Sequence, residues 1–302
     1  MKHIFTILVL LLPWYLWGQI KELNFKASVD FLKLPDGFYL QEVAGVAVNS
    51  KDHVFVFHRG KHPLLEFDSQ GNFLRSIADD MFITPHSVKI DRYDNIWTVD
   101  MGAHVILKFS SNLKLQMVLG RWNRPGIESR MFGAFAHQFN MPTDIAFDSK
   151  DNFYISDGYG NSRVMKFDQD GTFIKTWGVK GDSIGQFDLP HTIVIDSNDQ
   201  LYVGDRQNQR IQVFNSEGDF VKAWALPGHP WGLAMYADKL YVSVGTQGRI
   251  IEVSKEGKVT GTFGSQGKKT GQLEWPHLMA VDSKGNLLVA EIQNWRIQRL
   301  TR

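Results

Sequence analysis

Residues 188–214 read Asp-Leu-Pro-His-Thr-Ile-Val-Ile-Asp-Ser-Asn-Asp-Gln-Leu-Tyr-Val-Gly-Asp-Arg-Gln-Asn-Gln-Arg-Ile-Gln-Val-Phe. Ile193 and Ile195 alternate with their neighbours as one face of a strand does, and residues 196–200 form a polar turn. Residues 201–203 read as a second short strand, 205–209 as a polar corner and 211–214 as a third strand. Short apolar alternations separated by Gly, Asn and Asp predict a strand–turn–strand–turn–strand unit. Two residues exceed what such a unit needs. They are His191, placed just before the first strand, and Arg206, placed just after the second.

The unit recurs along the chain. Further copies open at Gly45, at Thr84-Pro85-His86, at Met141-Pro142-Thr143, at His229-Pro230-Trp231 and at Trp275-Pro276-His277. Six copies spaced about 40 to 57 residues apart have the period of propeller blades. A fourth strand closes the better-defined copies, as at 172–177 and 259–263, each followed by Gly. The sixth copy stops at Arg302 after its third strand, whereas residues 25–31 alternate as a strand ahead of the first copy. The N-terminal strand is therefore expected to complete the last blade and remove an exposed edge. The predicted fold is all-β, a six-bladed β-propeller forming one domain over residues 19–302.

Composition narrows the partners. Lys plus Arg number 33 against 32 Asp plus Glu, so no basic field for nucleic acid is present. The chain has no cysteine, which excludes disulfides and thiolate metal sites. Lys2 and His3 precede an apolar run from Ile4 to Trp17, and Gly18 offers a small residue for cleavage. Residues 1–18 thus read as a secretory signal, too short for a membrane span. An exported protein, secreted or periplasmic and without a membrane span once the signal is removed, is expected. The lack of cysteine suits a bacterial envelope better than an animal secretory route.

After the blade-opening proline, copies two to six carry His86, Thr143, His191, Trp231 and His277. Histidine falls on alternate blades, about 120° apart in a six-fold ring whose innermost strands line the central channel. Three imidazoles arranged in this way leave one side open, which suits a catalytic zinc. Just past the second strands lie Arg59, Met101, Gly158, Arg206, Gly245 and Ile292. The two arginines stand on opposite blades, and a substrate carboxylate is their natural partner in the channel. The competing arrangement pairs each with a neighbouring aspartate, Arg206 with Asp205 or Asp157. Tyr159, at the corner of blade three, is placed to reach a group on the metal; taken alone it reads as a packing or rim residue. His53, His58, His62, His104 and His137 read as structural or solvated.

Asp100, Asp157 and Asp205 after the second strands, with Gly-Gln-Phe at Gly185 and Gly-Gln-Leu at Gly271, resemble the NHL-repeat variety of propeller. Val56-Phe57-His58-Arg59-Gly60, Pro85-His86, Ser156-Asp157-Gly158-Tyr159, Pro190-His191, Asp205-Arg206-Gln207-Asn208 and Pro276-His277 go further. Together with the long loop 119–139 they resemble peptidyl-α-hydroxyglycine α-amidating lyase, over residues 43–300. The resemblance implies a carbon–nitrogen lyase that cleaves a C-terminal α-hydroxyglycine to an amide and glyoxylate. It implies zinc on His86, His191 and His277, Tyr159 as the base, and Arg59 and Arg206 at the substrate carboxylate. Calcium carbonyls would fall on Val46 and Val88, but Leu278 stands where the family has its calcium aspartate. Trp275 replaces a methionine near the substrate, and no oxygenase domain is present to make the hydroxyglycine. The rival reading is an NHL propeller that binds peptide, protein or glycan without chemistry. A lactonase-type propeller would instead need carboxylate and amide ligands for calcium. Metal content separates the three.

Overall fold

A computed structural model describes residues 20–126 and 138–302. The signal read at 1–18, His137 and most of the loop 119–139 lie outside that range. The described strands form six four-stranded sheets in which consecutive strands lie side by side. Their innermost strands are Val43–Val48, Pro85–Ile90, Asp144–Phe147, Pro190–Ile195, Pro230–Tyr236 and Pro276–Val281. Each packs on the inner strands of the blades to either side, and the first packs on the last. The ring is closed as the sequence predicts. Lys26–Ser28 pairs antiparallel with Arg296–Thr301 and gives blade six its fourth strand, so the edge of Arg296–Thr301 is covered. Among the described residues, no helix is long and apolar enough to cross a membrane.

Burial follows from the layering of blades. Second strands such as Val54–His58 and Leu201–Asp205 are buried at every position, because a neighbouring blade covers each face. Outermost strands such as Phe173–Trp177 and Phe220–Ala225 alternate half-buried and exposed residues, as a strand with one wet face does. The core lies between blades: Phe57 and Leu64 of blade one pack with Val105 and Leu107 of blade two. Truncating one such ring, Phe57→Ala, costs about 3–5 kcal/mol.

Two boundaries differ from the sequence reading, and both matter for the site. The inner strands begin at the proline, so His86, His191 and His277 lie within them and not before them. Asp100, Asp157 and Asp205 are the last residues of their second strands, not the first residues of a corner. The reason is main-chain pairing. Pro190 pairs with Asp205 and Thr192 with Gly204, and the same slip occurs after Pro85. A strand therefore continues through a residue that the apolar alternation leaves out.

Candidate active site in the propeller channel

His86 and His191 are each the extra residue of a β-bulge, and His277 lies in the wider slip between Pro276 and Met279. A bulge re-aims one side chain out of the regular pleat. The three imidazoles meet: ring centroids lie 4.8 Å (His86–His277), 4.9 Å (His86–His191) and 4.9 Å (His191–His277) apart. All three are buried, and they offer one nitrogen each within 4.8 Å of one another.

Their tautomers are fixed by the main chain. Nδ1 of His86 lies 2.6 Å from the Thr143 carbonyl, Nδ1 of His191 2.6 Å from that of Trp231, and Nδ1 of His277 2.5 Å from that of Ala44. A carbonyl can only accept, so each Nδ1 carries the hydrogen and each Nε2 keeps its lone pair. Thr143, Trp231 and Ala44 hold on blades three, five and one the position that histidine holds on blades two, four and six. The six-fold ring is divided into three ligands and three orienting carbonyls. Burial holds His86 and His191 well below the ordinary imidazole range, and neighbouring histidine and arginine charge adds to it. Burial likewise lowers His277, to about 3. All three are therefore neutral at neutral pH, as metal ligation requires.

Tyr159 reaches this cluster from the corner of blade three. Its hydroxyl lies 2.9 Å from Nε2 of His191, to which it donates its one hydrogen, and 3.4 Å from Nε2 of His86. Arg206 Nη1 is 3.4 Å from the same hydroxyl, and the guanidinium lies over the rings of Tyr159 (5.4 Å) and Trp231 (4.8 Å). The neighbouring aspartates do not neutralise it. Asp205 pairs with Arg210 at 2.7 Å and Asp157 with Arg163 at 3.0 Å, and no carboxylate pairs with Arg206 among the described residues. Arg59 is held by the half-exposed Glu42 carboxylate at 3.3 Å and by the Pro85 carbonyl at 3.3 Å. Both arginines line one cavity of about 460 Å³ with Tyr159, His277, Trp231, Trp275 and Ile292.

Trp275 stands at the rim, 37% exposed and in the left-handed region (φ 50°), with its ring 5.2 Å from Trp231. Trp231 is the residue that the sequence reading left without a role. Its indole lies 5.9 Å from His191 and 5.8 Å from His277. Gly245 makes room for it, since a Cβ there would fall 2.5 Å from the indole. The available signal was its place in the same slot as the histidines. Val46 and Val88 sit on the inner strands of blades one and two. The side chains lining the channel opening around Val46 are apolar apart from Lys89, whose Nζ lies 3.6 Å from the buried Asp144 carboxylate. Leu278 is buried.

Comparison with known proteins agrees with the repeats. The NHL repeat family matches residues 139–167 and 187–214. Peptidyl-glycine alpha-amidating monooxygenase B of Xenopus laevis is 32% identical over 169 residues, covering 47% of this chain and 18% of that protein. A probable peptidyl-alpha-hydroxyglycine alpha-amidating lyase of Caenorhabditis elegans is 29% identical over 157 residues, 44% of this chain and 43% of that one. These alignments are shorter than the span 43–300 over which the motifs run, and the chain spans under a fifth of the Xenopus protein. A streptogramin B lyase structure superposes with a TM-score of 0.66 at 16% identity, covering 92% of this chain and 97% of that one. That likeness is one of fold. The chain is an NHL-repeat six-bladed propeller homologous to the peptidyl-α-hydroxyglycine α-amidating lyases.

Proposed function

We propose that this protein is a zinc-dependent lyase that cleaves the carbon–nitrogen bond of a C-terminal α-hydroxyglycine, releasing an amide and glyoxylate. The observation that carries the reading is the meeting, in and beside one cavity, of three inward-facing imidazoles, one phenol and two arginines. Three neutral imidazole nitrogens with one open side fit zinc. Held there, zinc supplies a Lewis acid and positive charge beside the cavity.

The rest is the work of the chain's own residues. Arg206 has no carboxylate partner among the described residues and offers its N–H groups to the substrate carboxylate. Arg59 does so from the opposite blade, in exchange for the accessible Glu42. Holding the carboxylate fixes the hydroxyl-bearing carbon beside Tyr159. Tyr159, as general base, takes the proton of the α-hydroxyl. As that O–H bond breaks, the carbonyl of glyoxylate forms and the C–N electron pair leaves with nitrogen. The nitrogen takes up the proton that Tyr159 accepted, which completes the amide and restores the base. Trp231, Trp275 and Ile292 offer an apolar wall to the acyl part of the substrate. Export directed by residues 1–18 would place the protein with small peptide-like substrates outside the cytoplasm.

The test is metal per chain, measured together with glyoxylate release from a benzoyl-α-hydroxyglycine substrate. One zinc with glyoxylate is the expected result. Tyr159→Phe should keep the zinc and lose about 10²–10⁴-fold in turnover. An intact fold without metal would overturn the reading and leave a binding propeller.

A further inference from the structure

In four blades the last residue of the second strand is a carboxylate that accepts main-chain N–H groups from the segment entering the blade. Asp100 accepts from Ile83 and Thr84, Asp157 from Asn140, Asp205 from Asp188 and Glu291 from Glu274. Three of these carboxylates are balanced by an arginine at the head of the third strand, namely Arg163, Arg210 and Arg296. Blade one differs at both points. His58 replaces the carboxylate, and Pro63, whose carbonyl accepts the His58 N–H, stands where the arginine would be.

The imidazole keeps the accepting role without the charge. Its Nδ1 accepts from the N–H of Gln41 at 3.3 Å and from that of Gly60 at 3.1 Å. The ring hydrogen is therefore on Nε2, which is buried and has no partner among the described residues. Burial lowers the imidazole to about 4, in keeping with a neutral acceptor. Arg59 lies between the two segments so held. Its N–H bonds to the Glu42 carbonyl at 3.1 Å and its guanidinium to the Glu42 carboxylate. Gly60 follows directly, and a Cβ there would lie 2.6 Å from His58 Cε1. Both flanks of Arg59 thus hang on one ring nitrogen.

We infer that His58 is the positioning residue for Arg59, an uncharged acceptor that fixes the arginine-bearing corner without burying an anion beside it. An aspartate here would meet no arginine from the third strand, and its charge would compete with an incoming carboxylate for Arg59. A buried donor left unpaired is a local cost that a folding requirement alone does not explain. The inference rests on the proposed role of Arg59 at a substrate carboxylate.

Three variants of the zinc-loaded chain test it: His58→Ala removes the acceptor, His58→Asn restores an uncharged one, and His58→Asp restores a charged one. Amide exchange at Gln41 and Gly60 should accelerate about tenfold or more in the Ala variant and return toward wild type in the Asn variant. KM for benzoyl-α-hydroxyglycine should rise about tenfold in the Ala and Asp variants but not in the Asn variant, with kcat kept within about threefold. Unchanged exchange and KM in a folded Ala variant would overturn the inference, as would an equal rise in KM in all three. Should the Ala variant not fold, the Asp variant measured against the Asn variant decides. If the wild type releases no glyoxylate, the proposed reaction fails, while amide exchange still decides the part of His58.

Discussion

Blades two, four and six and blades one, three and five share a backbone, but they use it differently. At the head of the inner strand the even blades place His86, His191 and His277, and the odd blades place Ala44, Thr143 and Trp231. The even residues act through their rings and the odd ones through their carbonyls. A carbonyl is present whatever the side chain, so the odd positions can vary without loss of the orienting bond. Trp231 uses that freedom to build an apolar wall beside the histidines. A three-fold site is thus cut from a six-fold frame by substituting every second repeat.

The largest effect should come from an even position. His191→Ala removes one of three ligands and the hydrogen-bond partner of Tyr159; metal content should fall below one per chain and turnover by more than about a hundredfold. A variant that kept its metal and its rate would break the division into ligand and carbonyl blades. An odd position should cost less and in a different quantity. Trp231→Ala keeps the carbonyl that holds His191, so zinc should stay, while KM rises about tenfold as Arg206 loses the ring beneath it. Loss of zinc in that variant would mean that the odd side chains, and not only their carbonyls, hold the ligands.

The smallest effect compares blade one with the carboxylate blades. His58 titrates near 6.5 when unfolded and is lowered to about 4 when folded. Between those values the unfolded chain binds more protons, so the His58 contribution to stability is full above about pH 6.5 and is lost as pH falls toward about 4. His58→Asn lacks that term. Urea midpoints from pH 7 to 4 should therefore fall more steeply in the wild type than in this variant. Parallel curves would show that His58 is not the buried neutral group described.

Much of this was legible in residues 188–214 and their copies, because a blade is a local object. Its turns are fixed by neighbours in sequence, as where Asp196 accepts from the N–H groups of Asn198 and Gln200. Its strands follow an alternation of period two. The same logic found the last blade, since an incomplete sixth copy and a spare N-terminal strand call for each other. The exact head of the inner strand was not legible, because the bulged histidine breaks the alternation that marks a strand. His58, read as one of the structural or solvated histidines, gave no signal by itself. Its meaning appears only when the corners are superposed and blade one shows an imidazole where four other blades have a carboxylate.

By itself the sequence determined the blade count, the ring closure and the candidate residues, since repeat spacing and residue type are properties of the chain. Only the tertiary structure decided which way those residues act. Histidines 105 and 86 residues apart meet because closing the ring leaves their inner strands nowhere else to go. Their tautomers depend on carbonyls from the next blade, and among the described residues Arg206 meets no carboxylate, because Arg163 and Arg210 take the ones that adjacency offered it. The choice among partners is made by distance between blades, a quantity that spacing along the chain does not contain.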